Sequence, residues 1–313
     1  MILPDFSNKN ILVIGDVMLD RYVYGDVSRI SHEAPVPVLD VRSTDETLGG
    51  AANVAANIAT LGGQCHLVGV VGRDDAEAAT IRRLLANYRI NHTLIEASRP
   101  TTVKTRYVAA LHNAHMLRAD VENASPVSPH VEDRLAYAVR NHAADAVVIS
   151  DYGKGVVTPI VITAALTFGR PVIVNPKGDD YTRYRGAAAI TSNVAELALA
   201  LGQPVASVEN SFTASALLLM AKIGCDAVLI TRGEHGMFIA DQEGTAGFDA
   251  EATRLVDVSG AGDTVVATFA LGVASGMTYI DAAQIANYAA AIVVEKKGTA
   301  QCARTELSAR LSR

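Results

Sequence analysis

Short apolar runs alternate along the chain with segments whose apolar residues recur at helical spacing. The runs begin near residues 11, 145, 171, 187 and 226 and lack strict alternation of polar and apolar positions. The helical segments are 49–61, 75–87, 129–142, 157–168, 193–201 and 211–222. Strands that are apolar on both faces are typical of a parallel sheet covered by helices on both sides. The pattern therefore predicts an α/β sandwich with a mostly parallel central sheet.

Two segments break this rhythm. Residues 20–43 and 101–121 are rich in β-branched and aromatic residues, with Gly, Pro and Asn between the runs. This pattern favours antiparallel strands, and it predicts a small second sheet that emerges from the main domain. A sheet this small has exposed edges unless it covers something or pairs with another copy, so we expect a lid that also forms a homodimer. No linker or repeat divides the chain, and residues 1–313 are predicted to form one domain.

Composition excludes several classes of protein. The net charge of −6 gives no basic field for nucleic acid, so any phosphate ligand has to be held by local groups. The three cysteines are too few and too widely separated for a disulfide framework or a zinc cluster, which favours a reducing cytoplasm. The N-terminal residues do not have the pattern of a secretory signal, and no apolar run reaches about 18 residues. We therefore expect neither export nor membrane insertion, and we interpret residues 281–298 as a buried helix.

Three small residues precede an acid in the stretch "LVDVSGAGDTVVATFALGVASG", and an apolar run follows. If a helix begins near Gly262, the backbone amides of Gly260, Ala261, Gly262 and Asp263 converge on one point, where the helix dipole adds partial positive charge. Such a point attracts an anion, and Asp263 beside it could accept a proton from a hydroxyl. The alternative is that Asp263 caps the helix. The spacing alone leaves both interpretations open.

Two further motifs suit a polyol ligand. In "ETLGGAANVAANIATLGG", Gly49 and Gly50 allow close approach of a ligand, and Asn53 could present its amide to sugar hydroxyls. In "GDVMLDR", Asp16 ends the first strand and Asp20 follows four residues later. Carboxylates at the carboxyl end of a strand commonly lie at the ligand site of an α/β sheet. The alternatives are a tight loop with small-residue packing and ordinary turn formation.

Together these elements resemble one family. "GDVMLDR", "GGAANVAANIATLG", "TSNVAE" and "DVSGAGDT" occur in the order and approximate spacing of the ribokinase-like carbohydrate kinases, over about residues 10 to 300. The runs "SRISHEAPVPVL", "ISDYGKG", "NPKGDDYTRYRGA" and "LITRGEHGM" resemble the members that act on a heptose 7-phosphate. The resemblance implies a three-layer α/β/α sandwich with a β lid. It also implies transfer of the ATP γ-phosphoryl group to O1 of D-glycero-β-D-manno-heptose 7-phosphate, a step of ADP-heptose and lipopolysaccharide synthesis.

The resemblance also implies roles for individual residues. Asp263 matches the catalytic base, and Gly260, Ala261 and Gly262 match the anion hole that holds the transferred phosphate. Asn193 and Glu196 match residues that organise Mg²⁺, with Glu196 acting through water. Thr231 and Gly233 match the strand end that lines the nucleotide site. The positions that match the sugar site are Asp16, Gly49, Gly50 and Asn53.

A phosphorylated sugar requires cations in a chain of negative net charge. Lys104, Arg106 and Arg118 lie in the predicted lid, Arg21 lies at its start, and Lys177 follows a core strand. These five residues are the candidates for the 7-phosphate and for charge on the transferred group, and Asp20 is a candidate for the sugar. Each cation taken alone fits a solvated surface charge better than a ligand contact. Only Lys104 and Arg106, two residues apart on one face of a strand, fit the two interpretations equally well. Asn175 stands where this branch often has an aspartate, so we assign it no metal role.

Other predictions about function follow from the same resemblance. Parts of the family are activated by a monovalent cation, which makes such an ion a further expected cofactor beside ATP and Mg²⁺. The chain ends at Arg313 without the H-x-G-H motif of a nucleotidyltransferase domain, so we expect another protein to carry the adenylyl-transfer step. The alternatives are a sugar or nucleoside kinase with an unphosphorylated acceptor, and a non-catalytic sensor. A dehydrogenase is disfavoured because no G-x-G-x-x-G follows the first strand.

Overall fold

The computed structural model describes residues 3–111 and 114–312, and within these ranges the chain forms thirteen strands and ten α-helices. The strands are β1 (Asn10–Gly15), β2 (Val17–Ile30), β3 (Pro37–Gly50), β4 (Gln64–Gly72), β5 (Asn91–Ala97), β6 (Thr102–Ala109), β7 (Ala114–Val121), β8 (Ala146–Ser150), β9 (Val172–Asn175), β10 (Ala189–Asn193), β11 (Ala227–Thr231), β12 (Met237–Asp241) and β13 (Thr245–Phe248). The helices are α1 (Ala51–Thr60), α2 (Ala76–Asn87), α3 (Pro129–Arg140), α4 (Pro159–Leu166), α5 (Val194–Leu201), α6 (Val205–Asn210), α7 (Phe212–Ile223), α8 (Ala261–Ala274), α9 (Tyr279–Val294) and α10 (Arg304–Leu311).

A nine-stranded sheet forms the centre of the molecule, in the order β13-β12-β11-β10-β9-β8-β1-β4-β5. The seven strands from β11 to β5 are parallel, and β12 and β13 add an antiparallel hairpin at one edge. Ile11 and Val13 of β1 pack on the side of α1 and α8, whereas Leu12 and Ile14 pack on the side of α3 and α4. Both faces of the strand are buried, which explains why its sequence lacks alternation. The predicted three-layer α/β/α sandwich is confirmed.

The predicted helices are present, and polar side chains fix several of their ends. The Asp75 carboxylate accepts a hydrogen bond from the Ala78 backbone and begins α2. Asn193 and Glu196 form a capping box that begins α5. The apolar segment near the C-terminus forms α9, most of whose residues are buried. Within the described ranges, no helix is long and apolar enough to cross a bilayer.

The second sheet contains four strands in the order β3-β2-β6-β7, and we call it the lid. Its β2–β3 and β6–β7 pairs are antiparallel, as predicted, but the central β2–β6 pair is parallel. The reason is topological. Strand β2 directly follows β1 and β6 follows β5, so both leave the same edge of the large sheet in the same direction. Positions 112 and 113 of the predicted lid segment lie outside the described residues.

The lid is buried at its base and exposed at its outer end. Residues 17–20 of β2 are buried, whereas residues 26–30 of the same strand and all of β7 are exposed. Strand β3 extends beyond the predicted lid segment, which ended at residue 43. It continues to Gly50 and passes directly into α1. The base of the lid therefore lies against the sandwich at the carboxyl edge of the large sheet.

Candidate active site

Polar residues from four strand ends and one helix start meet at the carboxyl edge of the large sheet. Asp16 follows β1, Tyr152 follows β8, Asn193 ends β10, Thr231 ends β11, and Asp263 lies in the first turn of α8. This is the edge at which ligands bind in open parallel α/β sheets. The lid rises from the same edge, so a ligand held here would lie between the lid and the sandwich.

The carboxylate of Asp263 is buried and held by two donors. Its Oδ1 accepts a hydrogen bond from the Tyr152 hydroxyl at 2.5 Å, and its Oδ2 accepts one from Nδ2 of Asn53 at 2.9 Å. Burial raises the pKa of Asp263 to about 6, although both hydrogen bonds lower it. The N-cap of α8 is Gly260, and no side chain caps this helix. The N-cap interpretation of Asp263 is therefore wrong.

The start of α8 presents free backbone amides. Within residues 114–312, the N–H groups of Gly260, Gly262 and Asp263 have no protein acceptor, but the Ala261 N–H donates to the Val258 carbonyl at 3.2 Å. The predicted anion hole thus contains the Gly260 and Gly262 amides without the Ala261 amide, which is already used. Gly260 has a φ of 78°, and a Cβ there would lie 2.7 Å from Nδ2 of Asn53. Glycine is required because Asn53 passes so close.

A chain of side-chain amides fixes the orientation of Asn53. Gln301 donates from Nε2 to Asn53 Oδ1 at 2.9 Å, so the Asn53 amino group points toward Asp263. Below it, Asn57 Oδ1 accepts hydrogen bonds from the Thr264 hydroxyl and from the Cys302 backbone. Asn53 therefore acts directly on Asp263, and its contact with a sugar stays a prediction.

Asp16 is buried within a loop that it organises. Its carboxylate accepts hydrogen bonds from the backbone N–H groups of Tyr152 at 2.7 Å, Lys154 at 3.1 Å and Val156 at 3.4 Å. Burial and, after it, the nearby charge of Asp151 raise the pKa of Asp16 to about 6, although the three backbone hydrogen bonds lower it. Its carboxylate therefore holds the 152–156 loop, and any contact with a sugar would be additional.

The two glycines at the end of β3 are required by neighbouring chain segments. A Cβ at Gly49 would lie 2.8 Å from Asp20 Oδ2, and one at Gly50 would lie 2.5 Å from the Asp16 carbonyl. Gly50 also has a φ of 55° at the start of α1. The sequence pattern predicted that a ligand approaches these glycines closely. In the structure, Asp20 approaches Gly49 and Asp16 approaches Gly50.

The three arginines among the predicted phosphate-binding cations are already paired. Arg106 donates to Asp20 Oδ1 at 2.7 Å in a largely buried ion pair, and Arg21 bonds to Glu46 and Glu77. Arg118 is exposed and pairs with Asp120. A carboxylate neutralises each of these arginines, and their contact with a phosphate stays a prediction.

Lys104 differs from the arginines. Its Nζ lies 5.5 Å from the centroid of the Tyr152 ring, and in the described part of the chain it has no hydrogen-bond or ion-pair partner. Burial lowers the pKa of Lys104, and its charge lowers the pKa of Asp263. Lys104 is therefore a cation beside the buried carboxylate that is available to a ligand.

Two clefts meet at Thr231, Gly262 and Val265. The smaller cleft, about 150 Å³, is polar and is also lined by Asp151, Asn175, Lys177, Asn193 and Glu196. The larger cleft, about 330 Å³, is mainly apolar, and its other lining residues include Gly233, Met237, Leu255, Val258, Asn287 and Val294. The free amide of Gly262 lies between them, which suits a ligand with an apolar ring at one end and phosphates at the other.

The polar cleft offers oxygen ligands of the type that Mg²⁺ prefers. Glu196 Oε1 accepts a hydrogen bond from Lys177 Nζ at 3.0 Å, and Oε2 accepts one from the Asn193 backbone at 3.2 Å. Among the described residues, no three His, Cys, Asp or Glu side chains converge as a metal cage. The Glu196 carboxylate with its amide neighbours fits a magnesium ion that keeps most of its water and is shared with phosphates.

Residues that the sequence did not identify complete the site. Tyr152 and Gln301 bond to Asp263 and Asn53, and Thr299 donates to Asp20 Oδ2 at 2.9 Å. Tyr152 lay within a motif used for the resemblance, but Gln301 and Thr299 carried no spacing signal. All three act through contacts between distant chain segments.

This fold and site define the class of protein. A model of the pfkB family of carbohydrate kinases matches residues 8–306. The chain belongs to this family, and it is a carbohydrate kinase, as the motif resemblance implied.

Two relatives are similar to this chain over more than nine tenths of its length. The chain is 46% identical over 310 residues to the bifunctional protein HldE of Caulobacter vibrioides, a match that covers 97% of this chain and 64% of the relative. It is 47% identical over 300 residues to the bifunctional protein HldE of Caulobacter sp. (strain K31), covering 94% of this chain and 61% of that protein. The chain therefore spans less than two thirds of the length of these relatives.

Solved structures show the same fold at lower sequence identity. Escherichia coli phosphofructokinase-2 in complex with potassium superposes with a TM-score of 0.84 and 19% identity, covering 97% of this chain and 100% of that one. Arabidopsis thaliana ribokinase complexed with ribose and ATP gives a TM-score of 0.76 and 22% identity, covering 97% and 99%.

Removal of the Asp263 charge should change the pH dependence of stability. The folded-state pKa of about 6 lies above the ordinary value of 3.8, so ionisation of Asp263 opposes folding. The stability that its proton contributes is complete below pH 3.8 and is lost as the pH rises through 6. Relative to wild type, Asp263→Asn should therefore gain about 1 kcal/mol or more in free energy of unfolding between pH 5 and pH 8.

Urea denaturation of both proteins at the two pH values measures this difference. Asp133→Asn, at an exposed position of α3, is the matched control, and its difference from wild type should be the same at both pH values. A pH-independent difference for Asp263→Asn would contradict the raised pKa.

Proposed function

We propose that this kinase transfers the γ-phosphoryl group of ATP to O1 of D-glycero-β-D-manno-heptose 7-phosphate and forms the 1,7-bisphosphate. The observation that carries the proposal is the buried Asp263 carboxylate beside the free amides of Gly260 and Gly262, at the junction of the polar cleft and the lid. The substrate assignment rests on the motif resemblance and on the unpaired Lys104. The product would enter ADP-heptose and lipopolysaccharide synthesis.

Asp263 supplies the base in this proposal. As O1 attacks the γ-phosphorus, the O1 proton passes to the Asp263 carboxylate, the new O1–P bond forms, and the β–γ bridging P–O bond breaks to release ADP. A base with a pKa of about 6 is ionised at pH 7 to 8 and is matched to this task. The amides of Gly260, Gly262 and Asp263 stabilise negative charge on the transferred group.

The two clefts accommodate ATP. The adenine would occupy the apolar cleft near Met237, Leu255 and Val294, and the phosphates would extend past Gly262 toward Glu196. Mg²⁺, held through water by Glu196 with Asn193 beside it, supplies charge neutralisation for the phosphates when bound. Lys177, already next to Glu196, lines the polar cleft on this nucleotide side. A monovalent cation as an activator stays a prediction.

The acceptor sugar would lie under the lid. Lys104 of β6 is the predicted cation best suited to a phosphorylated acceptor, because it lies beside the site with its charge unpaired. The ion pair of Asp20 and Arg106 lies in the lid next to Lys104, and its carboxylate would accept hydrogen bonds from sugar hydroxyls. A cytoplasmic location agrees with the three free cysteines, all of which are buried.

One observation favours a second candidate. Because Arg21, Arg106 and Arg118 are already paired with carboxylates, the site could serve an unphosphorylated sugar or nucleoside. Lys104 discriminates between the two, since a neutral acceptor gives this amine no partner. A non-catalytic sensor is less well supported, because a binder needs no buried base at the anion site.

The acceptor can be identified by ADP release with Mg-ATP and a panel of sugars. We expect turnover with heptose 7-phosphate and none with heptose, fructose 6-phosphate, ribose or adenosine. ³¹P NMR should show a second phosphate at the anomeric position. Lys104→Met should raise the KM for heptose 7-phosphate by roughly tenfold or more, because a charge-assisted contact is lost.

Lys222→Met is the control for that variant, because Lys222 donates to the Ala200 carbonyl away from the site. Its KM should match that of wild type. Turnover on an unphosphorylated acceptor would keep the kinase and overturn the substrate, whereas no turnover on any acceptor would favour the sensor.

The proposal includes a homodimer formed through the lid. Apolar side chains on its outer half are exposed, and both β3 and β7 are edge strands of the lid. The exposed apolar residues are Val27, Ile30, Val41, Met116, Leu117 and Val121. An apolar sheet with two open edges favours pairing with another sheet, and a second copy offers the same edges.

Light scattering tests the dimer. Wild type should have twice the chain mass at micromolar concentration, and Leu117→Asp should be monomeric because it places a charge in the interface. Leu199→Asp is the matched control, since Leu199 is comparably exposed on α5, away from the lid. A monomeric wild type, or a dimer that Leu117→Asp leaves intact, would contradict a lid interface.

A further inference from the structure

We propose that Tyr152 is a positioning residue of the phosphoryl transfer, which orients the Asp263 carboxylate by donating its hydroxyl hydrogen bond to Oδ1. This inference rests on the proposed function of Asp263 as the base. The geometry that carries it is a 2.5 Å contact between two side chains that are 111 residues apart in the chain.

The two donors on Asp263 restrain its carboxylate in different ways. Tyr152 holds Oδ1 and Asn53 holds Oδ2, so the plane of the carboxylate is fixed from both ends. A carboxylate can accept about four hydrogen bonds, so these two leave lone pairs for an acceptor hydroxyl. Asn53 is fixed in turn by Gln301, whereas the orientation of Tyr152 depends on the loop that follows β8.

That loop is built around buried carboxylates. The Tyr152 backbone N–H donates to Asp16, and the Gly153 N–H donates to Oδ1 of Asp151 at 2.7 Å. The lid contributes the remaining contact, because Nζ of Lys104 lies over the Tyr152 ring. The tyrosine therefore joins three parts of the site: the end of β1 through Asp16, the lid through Lys104, and the start of α8 through Asp263.

The charged groups around Asp263 determine the sign of the expected effect. Burial raises its pKa, the hydrogen bonds from Tyr152 and Asn53 lower it, the charge of Asp20 on β2 raises it, and the charge of Lys104 on β6 lowers it. Burial and then the charge of Asp263 raise the pKa of the Tyr152 hydroxyl well above its usual value, and Asp20 and Glu196 add to this effect. The hydroxyl therefore remains a donor. Loss of the hydroxyl therefore removes a group that favours the ionised carboxylate.

Tyr152→Phe isolates this hydrogen bond, because it keeps the ring against Lys104 and removes the hydroxyl alone. The carboxyl ¹³C resonance of Asp263, assigned by its loss in Asp263→Asn, should titrate near pH 6 in wild type. In Tyr152→Phe the midpoint should be higher by about one pH unit or more, as expected for a hydrogen bond to a charged group. The acidic limb of the kcat–pH profile should move in the same direction, with the KM for ATP unchanged.

Tyr279→Phe is the matched control. The Tyr279 hydroxyl also donates to a carboxylate, Asp226 Oδ2 at 3.5 Å, but it lies outside the site. This variant should leave the Asp263 midpoint and the kcat limb at their wild-type values. A merely structural role for Tyr152 would lower stability without moving either midpoint.

The two readouts separate failure of this inference from failure of the proposed function. An Asp263 midpoint that is equal in wild type and Tyr152→Phe overturns the role of Tyr152, whatever the substrate. A moved NMR midpoint with an unmoved kcat limb overturns its role in the transfer. Near-normal turnover by Asp263→Asn would refute Asp263 as the base, and the NMR titration would still report on the hydrogen bond.

Discussion

Burial of the Asp263 carboxylate at the start of α8 is the constraint that the neighbouring segments have to satisfy. A buried charge is costly unless donors replace the lost water, and here the donors are a phenol and a side-chain amide. This requirement explains why α1, an otherwise apolar buried helix, carries Asn53 and Asn57 with no exposed surface. Incomplete compensation leaves the pKa of Asp263 raised, and this places the carboxylate in the range of a general base.

The same region connects the lid to the anion site through one short loop. Thr299 bonds to Asp20 and to the Tyr22 hydroxyl on β2, while the Gly298 N–H donates to Oδ2 of Asp257 at 3.1 Å. Asp257 lies three residues before Gly260, and Gln301 of the same loop orients Asn53. The position of the lid, the free amides and the orientation of the base are thus linked by residues 298–301.

Local patterns predicted the sandwich and seven helices because buried parallel strands and helices leave strong sequence signals. They did not predict β4, whose glycines and histidine interrupt its apolar run, or the parallel β2–β6 pair, which depends on topology. Asp263 and Gly262 were identified by motif, because an anion site at a helix start is encoded locally. The ion pair of Arg106 was not predicted, since its partner Asp20 lies 86 residues earlier. Partners so distant in the chain leave no local signal.

Single-turnover phosphoryl transfer by Asp263→Asn, with ATP binding measured on the same protein, tests the central claim that this carboxylate is the base. Because the substitution preserves the size of the side chain and the amides of Gly260 and Gly262, ATP should bind as it does to wild type. The rate of transfer to heptose 7-phosphate should fall by roughly 10²- to 10⁴-fold, the usual contribution of a general base. A variant that binds ATP normally and retains more than about a tenth of the wild-type rate would contradict the account.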